Sequence, residues 1–326
     1  MPSLVAPRRH PIAGEDAVAG WIFVLPALII LGAFIVGPIL YAFWLSFHAW
    51  DVVTPEKPFV ALDNYRTLLV DDDFQTALRN TIWYSLGVVP AQTILGLGLA
   101  VLVNLPLRGR TFFRAAFYFP SISSSVVVAI IFLWLYANNG LISVVLGAFG
   151  YPPPRPPWLQ DPRGVIELAL ATVGIAGVSP WLAGPSVALL SIMLMNVWST
   201  AGTMMVVFLA GLQSIPGEVY EAAAVDGATG WRRFRDITVP LLKPVTLFVV
   251  TIGLIGTLQV FDQIFVMSEG GPAKTTTTLA WLVYVEGFRG FNMGYASAVA
   301  VVLFALTFAL FQAHRRFLDQ TEERDG

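Results

Sequence analysis

The chain has no cysteine and only three histidines in 326 residues. Without a thiol there is no disulfide framework and no thiolate metal site. His10, His48 and His314 stand far apart and show no metal-ligand spacing. Charge is scarce too: Asp, Glu, Lys and Arg make up 12% of the chain, against about 25% in a soluble domain. The net charge of -2 offers no excess of positive charge for nucleic acid. No G-x-x-x-x-G-K-[ST] stretch occurs, so the chain has no loop of its own for cradling nucleotide phosphates. No Ser-His-Asp set suggests itself, which disfavours a membrane enzyme. The expected cofactor and metal content is none.

What is abundant is apolar surface. Hydrophobic residues make up 56% of the chain, and the mean hydropathy is +0.71. The composition predicts an all-α polytopic membrane protein. Arg8, Arg9 and His10 precede an apolar run too long for a signal-peptide core, so it reads as a retained first helix. Six spans are expected, near 19–47, 77–104, 119–146, 186–212, 241–267 and 295–317. Pro26 and Pro38 interrupt the first, and Pro90 is expected to kink the second.

The domain reading follows: a polar arm at 1–18, a first span and outer loop at 19–76, a main domain at 77–317 and a tail at 318–326. The apolar segment 164–179 is short for a span and carries Glu167. It reads as a re-entrant or interfacial helix on the outer face. PWLQDP (157–162) and PWLAGP (180–185) flank it like a local duplication. With both termini and the loops 105–118 and 213–240 cytoplasmic, twelve of the nineteen Lys and Arg lie inside. A seventh span at 164–179 would place Arg232, Arg233 and Arg235 outside.

The most informative stretch is polar and lies between two apolar ones: SIPGEVYEAAAVDGATGWRRFRDITVP, 214–240. Pro216 suits a first helical turn, and Glu218 and Glu221 lie near the positive end of a helix dipole. Ala222, Ala223 and Ala224 favour helix, and Gly227 is a natural stop. A helix at 216–227 is too short to cross a bilayer, and its alanines let a partner surface approach closely. The plain alternative is a surface helix with no partner.

Glu221-Ala222-Ala223, with Gly227 six residues after the glutamate and then Ile237 and Pro240, resembles the EAA motif of ABC importer permeases. Val239 stands where that motif usually has leucine. FLAGLQSIP before it and DGATGWRRF after it resemble the sugar and glycerol-phosphate, maltose-permease-like branch. Asn80-Thr81, RGRTFFR (108–114), FYFP (117–120) and SEGGPAKTTT (268–277) look like further landmarks of that family, whereas segment 164–179 departs from its pattern.

The resemblance implies a type I ABC importer permease fold in a bacterial or archaeal inner membrane. The implied partners are a second permease subunit, two ATP-binding cassette subunits and an extracytoplasmic solute-binding protein. ATP hydrolysis then belongs to a separate chain, which grips the 216–227 coupling helix through Glu218, Glu221, Ala222, Ala223, Asp226 and Gly227. The implied cargo is a sugar, polyol or glycerol-phosphate compound. The rival reading is a self-sufficient secondary transporter, a class that usually shows inverted repeats and broken midplane helices, neither evident here.

Polar residues inside the spans are costly in lipid and are therefore the candidates for a pathway. Asn196, Ser199, Thr200 and Thr203 fall on one helical face, beside Trp198. Gln259, Asp262 and Gln263 fall at i, i+3 and i+4, near Phe261 and Phe265. Amides, hydroxyls and a carboxylate suit sugar hydroxyls, and an aromatic ring suits the apolar sugar face. The alternative role for these residues is glue between helices.

Overall fold

The computed structural model describes residues 14–106 and 108–325. Residues 1–13 of the expected arm, with Arg8, Arg9 and His10, lie outside the described residues. The first span is a pair of helices, α1 (Gly14–Leu31) and α2 (Gly37–Leu45), joined by a widened turn over Gly32–Val36. The widening falls just ahead of Pro38, which has no amide proton to give to the turn before it. Together they form a membrane-length apolar rod over Gly20–Leu45, with Phe23 and Phe34 fully outward.

A short helix α3 (Asp63–Val70) leads into the second span, α4 (Asp72–Asn104). The Asp71 carboxylate caps α4 by accepting from the Asp73 amide at 2.9 Å. The third span is not the single helix expected at 119–146. Helix α5 (Arg110–Ile122) and helix α6 (Ser125–Leu135) meet at 97°. Pro120 sits in the last turn of α5, and Ser123, Ser124 and Ser125 follow, residues whose hydroxyls compete for backbone partners. The chain breaks again at Tyr136, and α7 (Leu141–Ala148) is a separate helix.

The 164–179 expectation is half corrected. Helix α8 (Val165–Ala171) is only its first part, and the chain then turns back through irregular backbone to Ser186. The Val165 amide donates to Pro185 O and the Val187 amide to Arg163 O, closing a hairpin. Gly174 and Gly177, both at positive φ, make the reversal that stops a longer helix.

Helix α9 (Val187–Ser214) is the fourth span, capped by the Ser186 hydroxyl accepting from the Leu189 amide. Three short helices follow: α10 (Gly217–Val225), α11 (Gly230–Arg233) and α12 (Val239–Leu241). The run 230–241 meets α13 (Lys243–Leu258) at 65°. The fifth span, expected to run unbroken to Met267, also stops early. Gln259, Val260 and Phe261 separate α13 from α14 (Asp262–Met267). Helix α15 (Leu279–Tyr284) precedes the long α16 (Met293–Asp325), whose apolar part is the sixth span. Four helices are therefore long and apolar enough to cross a membrane among the described residues, and the two bent pairs bring the total to six.

The core is built on α4, α9 and α13. Gly96 of α4 packs so closely on α9 that a Cβ there would lie 2.6 Å from the Met204 Cβ. Small residues at crossings are how helices approach in a membrane, where no hydrophobic force drives them together. One end of the bundle is filled by Tyr84, Leu189, Ile192, Met195, Ile264 and Trp281. The other is filled by Ala100, Met205, Phe208, Leu242 and Val249.

Candidate functional site

Two regions take shape from the predicted residues. The first is α10. Its backbone ends as the sequence requires: the Asp226 amide donates to Ala222 O, the Gly227 amide to Ala224 O and the Ala228 amide to Ala223 O. Gly227 has φ +76°, the left-handed conformation that closes such an end. A Cβ on Gly227 would meet no atom within 4 Å, so glycine is demanded there by backbone conformation and not by crowding.

One side of α10 holds it to the protein. Ala223 is buried, and the Tyr220 hydroxyl lies 3.1 Å from Thr238 Oγ1, which itself donates to Arg233 O. The other side is open. Glu218, Glu221, Ala222, Ala224, Asp226 and Gly227 are exposed, and Val225 is 88% exposed, as is Trp231 at 68%. An acidic, small-residue helix with a bare valine at its tip is thus presented at the end of the bundle that carries Arg232, Arg233 and Arg235.

 The second region is a cavity of about 230 Å³ at the elbow between α5 and α6. It is lined by Ser121, Ser123 and Ser125 at the elbow, by Ser199, Thr200 and Thr203 from α9, and by Gln263 from α14. The helix breaks that the sequence hid are what assemble it. Ser121 Oγ donates to Ser199 O at 2.6 Å and accepts from the Thr203 amide at 3.1 Å, so a hydroxyl from α5 sits against the backbone of α9. Gly202 permits this: a Cβ there would lie 2.3 Å from Phe117 O.

The predicted pathway residues divide. Ser199, Thr200 and Gln263 meet at this cavity. Thr200 Oγ1 lies 2.7 Å from Gln92 Oε1 and 2.8 Å from Asn196 O, so its proton is shared inside the bundle. Asn196 is buried and is not in the lining. Trp198 is half exposed and packs on Phe132, with ring centroids 5.4 Å apart. Gln259 and Asp262 are exposed and also outside the lining. Their expected common face with Gln263 is corrected, because Gln259 caps the end of α13 while Asp262 and Gln263 begin α14. Ser121, Ser123, Ser125 and Gln92 were missed. The signal available was the Ser run directly after Pro120.

At the end of the bundle remote from α10, a larger cavity of 540 Å³ opens between Tyr136, Asn138, Gln160, Met267, Gly271 and Pro272. Lys274 beside it pairs with Asp73 at 2.6 Å, and Arg289 pairs with Glu269 at 3.0 Å. Burial, with Asp71 and Asp73 nearby, raises the Glu286 carboxyl above its ordinary range. Among the described residues no cluster of His, Asp or Glu is placed to hold a metal ion.

A family model described as "binding-protein-dependent transport system inner membrane component" matches residues 92–321. The chain belongs to this family. The permease is 34% identical over 292 residues to the trehalose/maltose transport system permease protein MalF of Thermococcus litoralis, covering 90% of each chain. It is 33% identical to the multiple sugar-binding transport system permease protein MsmF of Streptococcus mutans, covering 88% of this chain and 90% of that one. A bacterial alginate ABC transporter solved with an alginate pentasaccharide-bound periplasmic protein contains a chain of the same fold, with TM-score 0.72 and 21% identity. That match covers 93% of this permease and 96% of that chain. The protein is a multi-pass inner-membrane permease subunit of a binding-protein-dependent ABC importer. It is a transport component and not an enzyme.

Proposed function

We propose that this permease carries a saccharide, or a related polyol or glycerol-phosphate compound, through the elbow cavity. The observation that carries the proposal is the lining: six hydroxyls (Ser121, Ser123, Ser125, Ser199, Thr200, Thr203) and the Gln263 amide at one point of an apolar bundle, where polar groups are otherwise costly.

 Sugar hydroxyls both donate and accept, and Ser, Thr and Gln do the same. The names of the relatives point the same way, to trehalose, maltose and multiple sugars.

In this reading the permease works with a second permease subunit, two ATP-binding cassette subunits and an extracytoplasmic solute-binding protein. Both termini and α10 are cytoplasmic, and the 540 Å³ cavity faces the binding protein. Helix α10 enters a groove on an ATPase subunit with Glu218, Glu221, Ala222, Asp226 and Gly227 toward it; Ala223, expected on that face, is instead buried against the permease itself. Closure of the ATPases then moves α10 together with the 230–241 run it rests on, and so tilts the bent α13.

The test is to reconstitute the assembled importer in proteoliposomes and measure uptake and ATP hydrolysis with the binding protein present. A panel of saccharides, polyols and amino acids separates the classes. Stimulation by at least one saccharide or polyol, and none by amino acids, is expected. Stimulation by amino acids alone overturns the assignment.

A further inference from the structure

We infer that the hairpin 164–186 is a lipid-interface anchor, with the headgroup and upper acyl region of the bilayer as its occupant. The hairpin is fastened at its base by the Gly164–Ser186 bridge, and the Ile166 and Glu167 amides both donate to Ala183 O. Its tip is bare and apolar. Val173 is 70% exposed and Leu182 64%, and Ile175 and Trp181 are exposed as well. No charged residue occurs from Leu168 to Pro185.

Depth follows from α4. Its 33 residues make a rod of about 50 Å, while the hydrocarbon core needs only about 20 residues. Counted back from Asn104, where the basic loop begins, the core ends close to Ser85. Trp83 therefore lies at the bilayer boundary, and its indole Nε1 donates to Trp181 O at 3.2 Å. This bond sets the hairpin tip at the same level. Below it, Leu86, Pro90 and Ile94 continue the face of Trp83 and are exposed, so the tip is continuous with a lipid-facing surface.

The backbone fixes how deep the tip can go. Residues 175–179 have no regular secondary structure, and irregular backbone facing lipid is not tolerated in the hydrocarbon. Tryptophan and small apolar side chains without charge suit the interface, and Trp83 and Trp181 are the pair expected there. Glu167 stays out of lipid: it lines a 260 Å³ cavity with Arg79 and Asn80 on the inner side of the hairpin.

The chain has no cysteine, so a single Ile175→Cys can carry an environment-sensitive fluorophore without background. The full chain in its assembled importer is placed in vesicles of phosphatidylcholine and phosphatidylglycerol, with a Thr54→Cys control. Quenching by lipid spin-labelled near the headgroup at least threefold stronger at 175 than at 54, with weaker quenching by aqueous iodide, is expected. Iodide quenching at 175 equal to that at 54 overturns the inference. So does lipid quenching that is lost when the binding protein is added, since a protein is then the occupant. Because Ile175 is exposed, its replacement leaves the fold intact; a second label at Val173 gives the same reading independently.

Discussion

The Asn80 side-chain amide on α4 donates to the Thr277 carbonyl at 2.9 Å, across 197 residues of chain. The same amide reaches Lys274 O at 3.2 Å, and next door Thr81 Oγ1 accepts from the Leu279 amide at 3.0 Å. Asn80-Thr81 thus holds the SEGGPAKTTT loop by its backbone. Replacing Asn80 by Ala leaves two carbonyls without this buried donor, at a cost of about 1–3 kcal/mol. A lowered melting temperature is expected, with faster proteolysis after Lys274. An unchanged melting temperature shows that the clasp contributes nothing.

Gly202→Ala tests the close crossing of α5 and α9. Its Cβ would meet backbone at Phe117, which cannot swing aside as a side chain can. Overpacking of this kind costs about 1–3 kcal/mol. The melting temperature should fall and, because the elbow cavity is displaced, substrate-stimulated ATPase should fall in whatever complex survives. Wild-type values for both would mean that α5 moves away without consequence.

Gln263→Ala and Ser199→Ala remove single polar contacts from the cavity. Each neutral hydrogen bond is worth about 0.5–1.5 kcal/mol, so apparent affinity should weaken about two- to tenfold with assembly intact. Asn196→Ala, at a buried site outside the lining, should lower stability and leave substrate dependence alone. The pathway assignment fails if all three variants lose stability with unaltered affinity.

Gly227→Val and Glu221→Lys address coupling. Left-handed backbone costs an ordinary residue about 1–2 kcal/mol, and a β-branched one fits it worst. Both variants are expected to insert normally but to lose ATPase association and uptake, whereas Gly227→Asn should retain much of both. Co-purification with the ATPase and an uptake assay decide the matter.

Glu286 gives a pH dependence. Its carboxyl is raised in the folded protein, so the folded state holds its proton more tightly than the unfolded chain does. The stability this contributes is full at acid pH and is lost as pH rises past the ordinary carboxylate range, near about 4.3, through the raised value. Glu286→Gln should therefore melt higher than the wild type at neutral pH, and the gap should close on acidification. Thermal melts across that range, on protein that stays assembled, are the check.

The sequence by itself determined much of this protein. Apolar run lengths located the spans, since a helix must bury about 20 residues to cross lipid. Pro216, the alanines and Gly227 marked a short helix and its end, because capping and left-handed turns depend on the residues at hand. The structure places that helix at Gly217–Val225, with Gly227 at φ +76°. What only the tertiary structure decided were the breaks and what they assemble. A run such as 119–146 is apolar throughout and says nothing of a 97° elbow, which depends on the packing of α5 and α6 against α9. Gln259 and Gln263 share a face only if the helix is unbroken, and the break at Val260 separates them. Ser121 reaches Ser199 from 78 positions away, and helical periodicity carries no information at that range. Local rules set the elements; the cavity exists because elements distant in sequence cross at glycines small enough to let them touch.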